Sequence, residues 1–167
     1  AYEISACLVG SEMCIRDSDL IIYARQVIIP NFDEEGQEKL LSTACLIIGA
    51  GGLGCPVALY ASAAGFGHIE ICDDDTIDLT NLNRQIAHKN DKIGHNKAEN
   101  LVQECSNINP NITIISNKKK FDKSTDINKF DLIFETAFRV AAPLRSVVDD
   151  AALADVLGTL DVLVDEM

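Results

Sequence analysis

The feature that most constrains this chain is a glycine-rich hexapeptide, Gly49-Ala50-Gly51-Gly52-Leu53-Gly54, standing directly after the apolar run 44–48. A short apolar run ending at glycine reads as a buried parallel strand. The small-residue stretch that follows, 52–64, reads as a helix. Gly49, Gly51 and Gly54 form G-x-G-x-x-G. The first glycine of that pattern permits a tight turn, the second lets backbone approach a phosphate, and the third lets helix and strand pack closely. Amides at the helix start then face the anion. Strand, glycine turn and helix in this order predict a nucleotide site.

The segments around the turn complete the pattern. Asp33-Glu34-Glu35 followed by Gln37-Glu38-Lys39-Leu40-Leu41 predicts a short helix with acids at its favourable N-terminal end. Residues 69–72 predict the next strand. Residues 96–105 predict a helix whose Ala98, Leu101, Val102 and Cys105 share one face, stopped by Asn109-Pro110. Stretches 112–115 and 132–134 are further strand candidates, with a short segment 126–129 between them. The expected fold is α/β, a Rossmann-like doubly wound, mostly parallel sheet, incomplete in this chain.

Asp73 lies 22 residues after Gly51, at the end of the second predicted strand. An acid there can accept hydrogen bonds from the ribose hydroxyls of a bound adenosine. Asp74 and Asp75 adjoin it, and the sequence does not choose among the three. Turn and acid alone make NAD the default ligand. The next segment, Asp78-Leu79-Thr80-Asn81-Leu82-Asn83-Arg84-Gln85, changes that, because a dinucleotide fold has no need of Asn81 and Arg84 there. An arginine one turn past an asparagine can clamp triphosphate oxygens by paired hydrogen bonds. Lys97 can add a point charge, and Arg25 is a third candidate cation; the plain alternative for each is a surface residue. His68, His88 and His95 show no catalytic arrangement, and His88 and His95 are too isolated to read as ligands. Cys55 reads as a packing residue, and Lys118-Lys119-Lys120 as a solvated loop.

Composition narrows the function classes. Fourteen Lys plus Arg stand against 26 Asp plus Glu, a formal net charge of -12, which argues against non-specific nucleic-acid binding. A local nucleotide site is compatible with that balance. No run of 18 apolar residues suggests a transmembrane helix, so no membrane partner is expected. The six cysteines include no C-x-x-C pair, and Cys45 and Cys72 sit in strand-like runs where buried thiols are ordinary. With no basic start and long apolar stretch, a reduced, cytoplasmic protein is expected.

Taken together, Tyr23-Ala24-Arg25-Gln26, Gly36-Gln37-Glu38-Lys39-Leu40, the run Leu46 through Gly54, Asp73-Asp74-Asp75, Asn81-Leu82-Asn83-Arg84-Gln85 and Gly94-His95-Asn96-Lys97 resemble the E1-like adenylyltransferase family. That family includes the ThiF and MoeB types and the adenylation domains of ubiquitin-activating enzymes. The resemblance covers about residues 20–135. It implies that Gly49, Gly51, Gly52 and Gly54 hold ATP, that Asp73 takes the ribose, and that Asn81, Arg84 and Lys97 contact the phosphates. It implies that Arg25 reaches into a partner subunit's site, hence a homodimer, and that Arg25, Arg84 and Lys97 serve catalysis. The implied substrate is the C-terminal Gly-Gly carboxylate of a ubiquitin-like or sulfur-carrier protein, which attacks the α-phosphorus to give an acyl-adenylate and pyrophosphate. Which pathway is served stays open.

The resemblance also implies Mg2+, held by the acid of an Asp-Cys-Thr-Asp-Asn type segment after the fourth strand. Here the stretch reads Glu135-Thr136-Ala137-Phe138-Arg139, and Phe138 stands in the place of that aspartate. Phenylalanine offers no oxygen to a hard cation, so this chain is expected to be a family member with adenylation activity lost. Residues 139–167 hold no Ile, Asn or Lys but six Val, five Ala, five Leu and five Asp. The expected organisation is therefore a non-family leader over 1–19, the N-terminal half of a nucleotide-binding domain over 20–135, and an atypical tail over 136–167. The alternatives are a non-catalytic nucleotide-binding module and an NAD-dependent oxidoreductase.

Overall fold

The computed structural model describes residues 21–122 and 125–137. The expected leader, Phe138 and all but the first two residues of the expected tail lie outside the described residues.

Among the described residues, helices α1 (Ala24–Val27) and α2 (Asp33–Ser42) precede the sheet. The β-α alternation follows as β1 (Ala44–Ile48), α3 (Gly54–Ala64), β2 (His68–Cys72), α4 (Lys97–Ile108), β3 (Thr113–Asn117) and β4 (Leu132–Glu135). The four strands form one sheet in the order β3-β2-β1-β4, every neighbouring pair parallel. The chain thus winds outward from β1 through β2 to β3, then crosses to the other side of β1 for β4. This is the Rossmann-like doubly wound topology expected from the sequence. The reversal places a crevice at the carboxyl ends of β1 and β4, where open α/β sheets hold ligands.

The apolar runs form strands because both faces of the sheet are covered. Cys45, Ile47, Ile69 and Ile71 pack with Ala58, Ala61, Ala98, Leu101 and Cys105 of α3 and α4, while Leu46, Ile48 and Cys72 pack on the opposite face against Phe121, Phe130, Ile133 and Ala137. Alternation along one strand therefore sends successive side chains into two cores. Small residues on α3 let it lie close to the sheet.

Element ends differ from the sequence reading by a few residues, for identifiable reasons. α3 begins at Gly54 rather than residue 52, because Gly51 and Gly52 remain in the turn. α4 starts after Asn96, whose side chain accepts from the Glu99 amide, and runs on to Ile108 because Asn109 still bonds back to the Cys105 carbonyl. Ahead of the sheet, Tyr23 is buried and its hydroxyl accepts from Asn109 Nδ2 at 2.8 Å, while Gln26 and Gln37 both donate to the Ala64 carbonyl. These bonds fasten α1 and α2 to the far end of α3.

Candidate nucleotide site at the glycine turn

The turn after β1 is built by backbone constraints on two glycines. Gly49 has φ +100°, a region that side chains avoid. A β-carbon on Gly54 would collide with the Gly49 carbonyl oxygen, so the helix can start this close to the strand only with glycine there. Gly51 and Gly52 differ. A β-carbon on Gly51 would meet only Gln85 Nε2 at 3.7 Å, and one on Gly52 would meet the Arg84 side chain and carbonyl at 3.6 Å or more. The fold tolerates side chains at these two positions, and without them the turn presents bare backbone. Among the described residues, the Gly51 and Gly52 amides have no protein acceptor.

The acid at the end of β2 closes the turn from one side. Asp73 Oδ2 accepts from the Ala50 amide at 2.6 Å, and Oδ1 accepts from the Asp75 amide at 2.8 Å. The geometry thus separates the three aspartates: Asp73 is half-buried against the turn, whereas Asp74 and Asp75 are exposed. Asp75 faces Lys97 instead, with Oδ2 3.0 Å from Nζ. Lys97, at the start of α4, has a side chain only 8% exposed against 69% for Asp75, so a largely buried ammonium is aimed at the acid cluster.

Arg84 comes from the irregular segment after β2. Asp78 caps a short 3-10 turn, Leu79–Asn81, by accepting from the Thr80 amide and hydroxyl, bonds that hold its carboxyl below the ordinary aspartate pKa. The Asn81 carbonyl then accepts from the Arg84 and Gln85 amides. Arg84 Nη1 donates to the Thr80 carbonyl and Asn83 Oδ1, and its stem lies over Gly52. The structure therefore gathers Gly49, Gly51, Gly52, Gly54, Asp73 and Arg84 at the carboxyl ends of β1 and β2, with Lys97 joined through Asp75, while Asn81 supports Arg84 by its backbone and turns its amide to Thr80. Arg25 is not among them. It is exposed on α1, which is fastened to the Ala64 end of α3, roughly 16 Å of helix from the turn.

Three buried residues to which the sequence reading gave no role in the site support the turn from beneath: Gln85, His88 and Asn100. His88 Nε2 lies 2.9 Å from the Ala50 carbonyl, and its Nδ1 lies 2.9 Å from Asn100 Nδ2. Burial lowers the His88 pKa, and the nearby Lys97 charge lowers it further, against an opposing effect of the bond to Ala50. His88 thus bonds protein groups at both ring nitrogens. The available signal was the polar pair Gln85 and His88 flanking apolar Ile86-Ala87 directly after Arg84. Cys55 packs against the same group, and burial pushes its thiol pKa up.

The carboxylates of Asp73, Asp74 and Asp75 lie within 4.8 Å of one another. Asp73 accepts two backbone amides and Asp75 pairs with Lys97. A separate cavity of about 310 Å³ beside α2, lined by Phe32, Gly36, Lys39 and Leu40 among others, shares no residue with the turn. No helix among the described residues is long and apolar enough to cross a membrane.

The ThiF family model matches residues 23–157. An adenylyltransferase and sulfurtransferase MOCS3 of Caenorhabditis briggsae is 38% identical over 142 residues, covering 83% of this chain and 35% of the relative. The crystal structure of E. coli MccB superposes with a TM-score of 0.60 at 30% identity, covering 66% of this chain and 32% of that one. MccB solved with ATP gives a TM-score of 0.50 at 32% identity, covering 52% of this chain and 25% of that one. The chain thus spans about a third of the length of the MOCS3 relative. With a parallel sheet reversing at β1, a glycine turn closed by Asp73, and a family match over most of its length, this chain belongs to the ThiF family.

Proposed function

We propose that this chain binds ATP at the glycine turn, and that the protein it represents adenylylates the C-terminal carboxylate of a small ubiquitin-like or sulfur-carrier protein. The observation that carries the reading is the pair of amides at Gly51 and Gly52, without an acceptor among the described residues, with the Arg84 stem over Gly52 and the buried Lys97 paired to Asp75 nearby. Support comes from relatives described as adenylyltransferases and from the similar fold of MccB, which has been solved with ATP.

In this reading the turn amides and the Arg84 and Lys97 cations hold the phosphates. Lys97 exchanges its contact with exposed Asp75 for one with phosphate, at little cost because Asp75 is already solvated. Asp73 keeps a free lone pair on each oxygen for ribose hydroxyls. A carboxylate oxygen of the carrier's terminal glycine, Gly-Gly in the family pattern, attacks the α-phosphorus, and pyrophosphate leaves with the α-β bridging oxygen. Cations fixed at the phosphates stabilise the charge that develops on them. Arg25, remote from its own turn, would serve the site of a second copy, which makes a homodimer the working assembly.

Mg2+ does not fit the position that the family pattern gives it, because Phe138 supplies no oxygen. This favours a chain that binds ATP and turns it over slowly or not at all. Fluorescent-ATP titration and ATP–pyrophosphate exchange with a matching carrier separate the readings. The expected result is saturable ATP binding with exchange that is weak in the chain as it stands and raised by Phe138→Asp. NAD binding in place of ATP would overturn the proposal in favour of an oxidoreductase, and undiminished exchange would overturn the loss of activity.

A further inference from the structure

We infer that His88 is a positioning residue for the nucleotide site: as a neutral ring bridging Asn100 and the Ala50 carbonyl, it aims the Gly51 amide at the bound phosphate. The inference rests on the ATP reading of the turn and adds a residue to it.

Hydrogen-bond geometry fixes the state of the ring. Asn100 Nδ2 is 3.1 Å from the Ala87 carbonyl and 2.9 Å from His88 Nδ1. A carbonyl can only accept, so the Asn100 group facing it is the amide, and that amide donates to Nδ1 as well. Nδ1 therefore carries no proton. In neutral imidazole the proton then sits on Nε2, which donates to the Ala50 carbonyl at 2.9 Å. Both ring nitrogens are used, and the residue is only 5% exposed.

Ala50 is held at both of its backbone polar groups, its amide by Asp73 Oδ2 and its carbonyl by His88. The peptide joining Ala50 to Gly51 is trans, as no cis bond occurs among the described residues. In a planar trans peptide the C=O and N–H point in opposite directions. Drawing the Ala50 oxygen down onto His88 thus turns the Gly51 N–H up, away from the core, where it meets no acceptor among the described residues. The carbonyl is a fixed lever, and the amide at its other end is the phosphate donor.

Protonation would undo the lever. A proton on Nδ1 would face the Asn100 amide, donor against donor, and rotating Asn100 would break its bond to Ala87. The charged groups around the ring are Lys97 and Glu104 of α4 and Asp73 just after β2, with the Cys55 thiol of α3 3.8 Å from Nε2. Lys97 opposes a second positive charge at this place.

The test compares ATP affinity of the full chain and three variants between pH 7.5 and 5.5, using a fluorescent ATP analogue. His88→Gln can place an amide nitrogen at the Nε2 position and cannot titrate. It is expected to bind ATP more tightly than His88→Phe at pH 7.5. His88→Phe keeps the size of the ring and loses the donor, and is expected to bind about tenfold more weakly while folded by circular dichroism. Wild type is expected to lose several-fold more affinity than His88→Gln on acidification; titration of ATP itself is common to both and cancels. Asn100→Leu, which frees Nδ1, should weaken binding and make it less steeply pH-dependent.

Equal affinities for a folded His88→Phe and wild type would overturn the inference, as would identical pH profiles for wild type and His88→Gln. If His88→Phe does not fold, the His88→Gln profile decides. The ring also has its own readout in long-range 1H–15N spectra, where a proton on Nδ1 at neutral pH would refute the bridge. Failure of wild type to bind ATP at any pH would overturn the nucleotide reading and this inference with it, whereas binding that ignores His88 overturns the inference alone.

Discussion

Asp73 Oδ2 accepts the Ala50 amide at 2.6 Å, tying the end of β2 to the glycine turn after β1. Its other oxygen takes the Asp75 amide at 2.8 Å, so both oxygens are engaged before any ligand arrives. An asparagine keeps the shape but supplies one acceptor oxygen, and its NH2 must face one of the two amides. Asp73→Asn is expected to lower unfolding free energy by about 2 kcal/mol, read by urea denaturation, and to weaken ATP binding. An unshifted midpoint would mean that the clamp contributes nothing to stability.

The four glycines of the turn divide into two classes. Gly54→Ala sets a methyl against the Gly49 carbonyl, and backbone cannot yield there without separating α3 from β1. A loss of about 3 kcal/mol or more is expected. Gly52→Ala meets the Arg84 stem at ordinary contact distance, and Gly52 lacks the positive φ of Gly49. Its stability is expected to stay within about 0.5 kcal/mol of wild type, while a methyl over the bare backbone lowers ATP affinity. Thermal unfolding and ATP titration of the two variants together check this; equal destabilisation would contradict the contact geometry.

Lys97 tests whether a buried cation is held for a ligand. Replacing it by methionine leaves Asp75 in solvent rather than stranded in the interior, since that side chain is 69% exposed. The stability change is expected to stay below about 1 kcal/mol. ATP affinity, by contrast, should fall about tenfold or more and lose part of its salt dependence. Titrations at low and high salt provide the check, and unchanged affinity would assign Lys97 to structure alone.

The sheet and the turn were legible because each depends on local pattern. The run 44–48 is apolar throughout, as a strand buried on both faces requires, and Gly49 and Gly54 occupy positions where a side chain has no room. The ion pair between Lys97 and Asp75 and the network from Asn100 through His88 to Ala50 were not legible. They join residues brought together only when α4 docks on the sheet, and nothing in the spacing of 75 with 97, or 50 with 88, encodes that. Gly51 and Gly52 illustrate the same limit: sequence alone does not tell glycines demanded by packing from glycines the fold would replace. Arg25 was legible as a cation, while its remoteness from the turn emerged only once Tyr23 and Gln26 were seen fastened to the far end of α3.

Cys45, Cys55, Cys72 and Cys105 are all free and buried. Burial pushes the Cys45 thiol up to about 12 and those of Cys72 and Cys105 to about 11. Since the thiolate is the reactive form, these four are expected to stay unmodified when native protein meets iodoacetamide at pH 8, and to react fully in urea. Peptide mass spectrometry reads each site separately. Rapid native labelling of Cys55 would show that the turn opens far more readily than its packing implies.

His88 gives the pH dependence of stability a definite sign. Its pKa in the folded chain is lowered by burial, so between that value and the unfolded value of about 6.5 the unfolded chain binds more protons. The contribution of the neutral ring is fully present above about pH 6.5 and declines as pH falls toward the folded value. Below the folded pKa both states are protonated and no further loss arises from this group. His88→Gln, which cannot titrate, is expected to show a shallower fall in unfolding free energy between pH 7 and 5 than wild type. Carboxylates titrating in the same range are common to both chains, so the difference between the two curves isolates His88. Parallel curves would mean that the ring gains its proton as easily in the folded chain as in the unfolded one, contrary to its burial beneath the turn.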